Sequence, residues 1–243
     1  MSGSDPLGAE IADNLDIVRR RINAAAHLAH RSPADIRLVA VSKTFGADAV
    51  RAAVAAGQRD FGENRVQEGL DKIEQLRELT LTWHLIGHLQ SNKARKAAVS
   101  FGWIHAIDSV DLLRKVDAAA AEAGVRPRLL VQADLAHETT KHGAGEHAVS
   151  DVVKAALDAR ACVLAGLMIV PPIPEHPEQS RPWFRRLREL RDALVAGGVP
   201  AASLRELSMG MSHDYEVAIS EGATIVRVGT AVFGRRPALL PKA

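Results

Sequence analysis

Cysteine is almost absent from this 243-residue chain: Cys162 is the only one. No disulfide can form within the chain, which excludes the cross-linked frameworks of small secreted domains. Cys162 lies in an apolar run and reads as a buried strand residue. Aromatics are scarce as well, at 4% with a single tyrosine. Ala, Val, Leu and Ile must therefore fill the core, and small aliphatics suit tightly layered helices and parallel strands. The longest apolar run, 161–170, is half of what a bilayer requires. The first eight residues are polar and lack the charged-then-apolar pattern of a signal peptide. No dense Lys/Arg block occurs, and the net charge is +2 with acids interspersed throughout, so electrostatics do not point to nucleic acid. No Gly/Ser-rich linker divides the chain. These absences lead us to expect one cytoplasmic domain, 1–243, with no membrane and no nucleic-acid partner.

What the sequence does have is alternation. Ile11, Leu15, Val18, Ile22, Ala25 and Ala29 recur at helical spacing and mark a long first helix that ends near Ser32-Pro33. Eight apolar stretches of strand length follow, at 36–44, 58–63, 81–89, 103–108, 128–135, 162–170, 204–208 and 224–232. Helical stretches separate nearly all of them. Each helix must carry the chain back before the next strand starts, which makes the sheet parallel. Eight such units fit a closed (β/α)8 TIM-type barrel with an extra N-terminal helix. A doubly wound open sheet is the alternative, and periodicity alone does not separate the two.

In a parallel barrel, ligands bind at the C-terminal ends of the strands. That rule selects Lys43, Glu63-Asn64, 84–88, Asp108-Ser109, Met168, 208–212 and 227–230. A lysine ending an apolar strand is a candidate for a desolvated, nucleophilic amine, the group that forms a Schiff base with an aldehyde. After the seventh strand comes Ser208-Met209-Gly210-Met211-Ser212, and the eighth carries Arg227-Val228-Gly229-Thr230. Glycines let backbone N–H groups approach an anion, and hydroxyls add donors. Phosphate sites of such barrels lie after strands seven and eight. An aldehyde trap facing a phosphate grip of Ser208, Gly210, Gly229 and Thr230 describes a site for pyridoxal 5′-phosphate (PLP). A metal site at His137, His142 and His147 is disfavoured, because their spacing does not align them on one helical face.

Seven ordered stretches also carry a family resemblance: VAVSKTF around Lys43, FGENRVQE at 61–68, WHLIGHLQSNK at 83–93, TTKHG at 139–143, AGLM at 165–168, ELSMGMSHDYEVAI at 206–219 and RVGTAVFG at 227–234. The sequence resembles the pyridoxal phosphate homeostasis proteins, whose barrel is similar to the N-terminal domain of alanine racemase. The resemblance implies a Schiff base on Lys43, with Asn64 and His84 beside the cofactor ring. It implies Ser208, Gly229 and Thr230 around the phosphate and Arg227 near the pyridine nitrogen. One departure is His88, where many members carry proline. Lys141, in TTKHG, is a second candidate contact for a phosphate, with a solvent-facing role as the alternative.

Two functions compete. One is a PLP enzyme such as an amino-acid racemase. The other is a non-catalytic binder that stores or delivers PLP, with apo PLP-dependent enzymes as recipients, acting as a monomer or weak dimer. Racemases of the resembling fold add a second domain, and only about ten residues follow the eighth strand here. A guanidinium beside the ring nitrogen also makes the ring a weaker electron sink. The binder is therefore the expectation.

Overall fold

The computed structural model describes residues 6–135 and 143–235. Its strands are β1 (Arg37–Val41), β2 (Asp60–Glu63), β3 (Thr82–Leu85), β4 (Trp103–Ile107), β5 (Arg128–Asp134), the two-residue β6 (Ala144–Gly145), β7 (Val163–Ile169), β8 (Glu206–Ser208) and β9 (Ile225–Val228). All pairings are parallel. The order β4-β3-β2-β1-β9-β8-β7-β5 closes through β4 against β5. Trp103 lies opposite Arg128 at that seam, and Arg37 lies opposite Ile225 between first and last barrel strands. Closure settles the choice against an open sheet. β6 only extends the edge beside β5, where Ala133 faces Ala144.

The helices are α1 (Pro6–Leu28), α2 (Ala47–Ala55), α3 (Val66–Gln75), α4 (Ala94–Ser100), α5 (Val110–Ala123), α6 (Glu146–Leu157), α7 (Arg181–Ala196), α8 (Tyr215–Ser220) and the single turn α9 (Thr230–Phe233). Local chemistry sets their ends. Ser109 caps α5 by accepting the Leu112 N–H, and Gly124, at φ 68°, closes it in the left-handed conformation. The extra helix α1 buries Ile11, Leu15, Val18 and Ile22. Four such side chains contribute roughly 6–12 kcal/mol of gross transfer energy before ordering entropy is counted. Asn14 Nδ2 donates to Val232 O at 3.1 Å, and Arg31 Nη1 donates to Ile219 O and Ala223 O at 2.8 and 2.7 Å. These bonds fasten α1 to the last two β/α units.

Alternation along the strands separates two cores. Ala40, Phe61, Leu85 and Ile104 point outward into the helical layer. Val39, Trp103, Leu130, Ala165, Met168 and Ile225 fill the barrel itself. Arg37 and Arg128 both lie over the Trp103 ring, at 5.4 and 5.2 Å.

One expected strand differs in kind. The stretch 224–232 is strand only at Ile225–Val228, and Thr230–Phe233 is helical. Its apolar composition suits a strand, but Val232 and Phe233 N–H both return to Gly229 O at 2.9 Å. Gly229, which accepts both, packs closely against β1: a Cβ there would stand 3.3 Å from Val41 O.

Candidate functional site

A cavity of about 430 Å³ opens at the C-terminal ends of the strands, within the size range of small-molecule sites. Lys43 reaches it because it continues the inward period of Val39 and Val41 beyond the end of β1. Asn64 does the same beyond β2, and Ile86 beyond β3. Asn64 is seated by Gly87, since a Cβ at that glycine would fall 2.3 Å from Asn64 O. Beside Lys43, at the end of the neighbouring strand β9, stand Arg227, Gly229 and Thr230, with Ser212 from the loop after β8.

There two backbone donors converge. Gly229 N–H and Ala231 N–H both point to Ser212 Oγ, at 3.2 and 3.3 Å. The loop carrying Ser212 is held by Asp214, whose carboxylate accepts Met211 N–H at 2.7 Å and Ser180 Oγ–H at 2.7 Å. Gly210, at φ 93°, lets the loop turn hard against α8, where a Cβ would meet Ala218 Cβ at 2.6 Å. The result is a hydroxyl oxygen held where two backbone N–H donors converge, the kind of point an anion's oxygen can occupy.

Below the cavity runs a buried polar chain. Arg227 Nη1 donates to Ser208 Oγ at 2.7 Å, and its Nη2 donates to Ile169 O at 2.9 Å. Ser208 Oγ lies 2.9 Å from His105 Nδ1; His105 Nε2 lies 3.0 Å from His84 Nδ1; His84 Nε2 lies 3.0 Å from Asp60 Oδ1. Arginine only donates and a carboxylate only accepts, so every proton between them points toward Asp60. Ser208 donates to His105, His105 to His84, and His84 to Asp60. Burial lowers the pKa of both imidazoles, His105 well below the usual value, and keeps them neutral. Burial would raise the Asp60 carboxyl, but hydrogen bonds from His84 and Arg37 outweigh it and hold it below its usual range. Burial also draws the Arg227 guanidinium down, to about 10, which leaves it charged at neutral pH. The chain thus fixes a cation at the floor of the cavity.

The chain matches the family model described as alanine racemase, N-terminal domain, over residues 13–237. A Pseudomonas aeruginosa protein named pyridoxal phosphate homeostasis protein is 44% identical over 227 residues, covering 93% of this chain and 96% of its own. An Aquifex aeolicus protein of the same name is 40% identical over 224 residues, covering 92% and 97%. The structure of PipY from Synechococcus elongatus PCC7942, solved with PLP bound, is similar at a TM-score of 0.81 and 40% identity, covering 92% of this chain and 100% of that one. This chain belongs to the pyridoxal phosphate homeostasis protein family.

Of the nine site residues expected from the sequence of this family member, Lys43, Asn64, Arg227, Gly229 and Thr230 line the cavity. Four do not. His84 lies opposite Gly62, two residues deeper than Ile86, about 6.6 Å down the strand, and it belongs to the buried chain instead of the cavity wall. Ser208 pairs in register with Met168, in the same buried layer, and its hydroxyl is committed to Arg227 and His105. Met168 packs inside the barrel, and Gly210 serves the turn. Lys141, His137 and His142 lie outside the described residues, while His147 is exposed on α6. Among the described residues no His/Cys/Asp/Glu cluster could hold a metal, and no helix is long and apolar enough to cross a membrane.

Ser212, within the selected stretch 208–212, accepts the convergent N–H groups, a role the sequence alone did not assign to it. The sequence reading assigned nothing to the Pro-rich loop after β7, yet Pro171, Ile173 and Pro174 reach the cavity rim. His88, the departure from the family pattern, stands 3.6 Å from Asp108 at the ends of β3 and β4.

Proposed function

We propose that the protein binds PLP in this cavity and serves its intracellular supply in the cytoplasm, holding it as a Schiff base on Lys43 without turning over amino acids. The residues present fit that group. Lys43 offers the amine, which condenses with an aldehyde with loss of water. Gly229 and Ala231 N–H with the Ser212 and Thr230 hydroxyls offer a phosphate grip, and Arg227 offers a fixed cation to a ring nitrogen. The reading is carried by one cavity of the right size lined by an amine, a guanidinium, the Gly229-Thr230 turn and a Ser212 hydroxyl on which two backbone N–H donors converge. The relatives' name and the PLP bound to PipY support it.

PLP supplies an electron sink when its ring nitrogen is protonated. Arg227 is a charged donor fixed by Ser208 and Ile169 O, and a neighbouring cation disfavours that protonation. This supports holding and delivery, with apo PLP-dependent enzymes as recipients, over carbanion chemistry. The competing reading, an amino-acid racemase-like enzyme, needs a second acid/base facing Lys43; His213 lines the cavity and is the group that would serve. Incubation with PLP tests the proposal. We expect an absorbance band of covalently linked cofactor that Lys43→Ala abolishes, and no alanine racemisation at ordinary enzyme rates of roughly 1–1000 per second. A spectrum unchanged by PLP overturns the binding reading, and steady alanine turnover overturns the non-catalytic one.

A further inference from the structure

Behind Lys43, outside the barrel wall, lies a second buried polar group. Lys72 of α3 is 5% exposed. Its ammonium donates to Ser42 O at 2.7 Å, Glu63 Oε1 at 2.7 Å and Glu68 Oε1 at 2.9 Å, which uses all three of its N–H bonds. Ser42 Oγ also donates to Glu63 Oε1, at 2.6 Å. Glu63 is fully buried, and its Oε2 has no hydrogen-bond partner among the described residues.

This cluster grips the chain on both sides of Lys43. Ser42 O also accepts Phe45 N–H at 3.0 Å, so residues 42–45 form a β-turn with Lys43 and Thr44 at its centre. Thr44 has φ 71°. In such a turn that position normally carries glycine, and a β-branched residue there is a genuine outlier. Thr44 N–H donates to Glu68 Oε1 at 2.5 Å. Lys72 therefore fixes the carbonyl before Lys43, and Glu68 fixes the amide after it. A strained conformation persists only when its surroundings over-determine it, and here they do so at the residue next to the cavity amine.

We propose that Lys72 and Glu68 are positioning residues for Lys43: by locking the 42–45 turn from behind, they aim its side chain into the cavity. The proposal rests on the reading of Lys43 as the amine that holds PLP. It makes the cluster specific for the covalent half of binding. The phosphate grip, at the end of the neighbouring strand β9, takes its hydrogen bonds from Ser212 and not from this cluster.

The test compares PLP with pyridoxine 5′-phosphate, which has the same phosphate and ring but an alcohol in place of the aldehyde. Glu68→Ala is the main variant, because Glu68 is partly exposed and its loss leaves a foldable chain. We expect the yield of borohydride-fixed adduct at limiting PLP to fall about tenfold, the worth of one hydrogen bond to a charged acceptor. Affinity for pyridoxine 5′-phosphate, read by titration calorimetry, should stay within about twofold. Glu68→Gln, whose Oε1 can still accept the Thr44 N–H, should recover most of the adduct. Equal losses for both ligands would show a merely structural cluster and overturn the proposal, as would an adduct yield unchanged in Glu68→Ala. A wild-type protein that forms no adduct at Lys43 overturns the parent reading and this one together. A wild-type adduct with an indifferent Glu68→Ala overturns this one alone.

Discussion

Two buried polar networks flank the cavity, and they handle charge in opposite ways. In the wall, Lys72 meets two carboxylates and a carbonyl within 3 Å, so its charge is neutralised on the spot. In the barrel interior, Arg227 and Asp60 carry opposite charges at the two ends of a chain of neutral groups. The wall network holds backbone, because the Lys72 cation is spent on its own two carboxylates and on Ser42 O. The interior network orients a guanidinium while leaving its charge to face the cavity. Burial of ionisable groups beside a site therefore has two distinct uses, and the number of local counter-charges tells them apart.

Removing the centre of the wall network should have the largest effect. Lys72→Met leaves Glu63, and part of Glu68, without a cation, and breaking a buried pair this way costs about 3–5 kcal/mol. Chemical denaturation checks it, and a loss below about 1 kcal/mol would show that the cluster is solvated. The interior chain should be weaker link by link. Ser208→Ala strands one donor of Arg227 and one acceptor of His105, and should cost about 1–3 kcal/mol, read in the same assay.

The interior chain should also give the protein a pH dependence in the imidazole range. The folded pKa values of His84 and His105 lie below their usual value, whereas the unfolded imidazoles bind protons near pH 6.5. The unfolded state thus carries more protons just below that pH, and stability should fall as pH drops through about 6.5. His105→Gln, which keeps a donor and an acceptor but cannot titrate, should flatten that slope of Tm against pH. An unchanged slope would place the titration elsewhere. The smallest effect belongs to the turn itself. Thr44→Gly relieves a left-handed β-branched residue worth about 1–2 kcal/mol, offset by the greater entropy of glycine, for a net gain of about 0.5–1 kcal/mol in thermal unfolding.

Much of this molecule was legible in its sequence, for physical reasons that also mark the limit. Parallel alternation is written in apolar runs separated by amphipathic ones, and a strand such as 37–41 is too apolar to read otherwise. Lys43 was legible because a charge ending such a strand needs a purpose. Depth along a strand was not. His84 and Ser208 stand near the ends of their strands, but barrel stagger sinks both below the cavity floor. The Lys72 cluster was not legible either, since Glu68 and Lys72 are spaced like an ordinary exposed helical pair. Their burial follows from the close approach of α3, where Gly69 leaves no room for a Cβ against Phe101. Thr230–Phe233 misled because its composition favours a strand while its N–H groups fold back on Gly229.

Peptide mapping after borohydride reduction of the PLP-loaded protein reads out whether Lys43 is the amine that holds PLP. We expect one modified peptide, carrying the label on Lys43 in VAVSKTF, and its loss in Lys43→Ala while reversible PLP binding persists through the phosphate grip. A label on Lys72, Lys93 or Lys141 instead, or an undiminished label in Lys43→Ala, would contradict it.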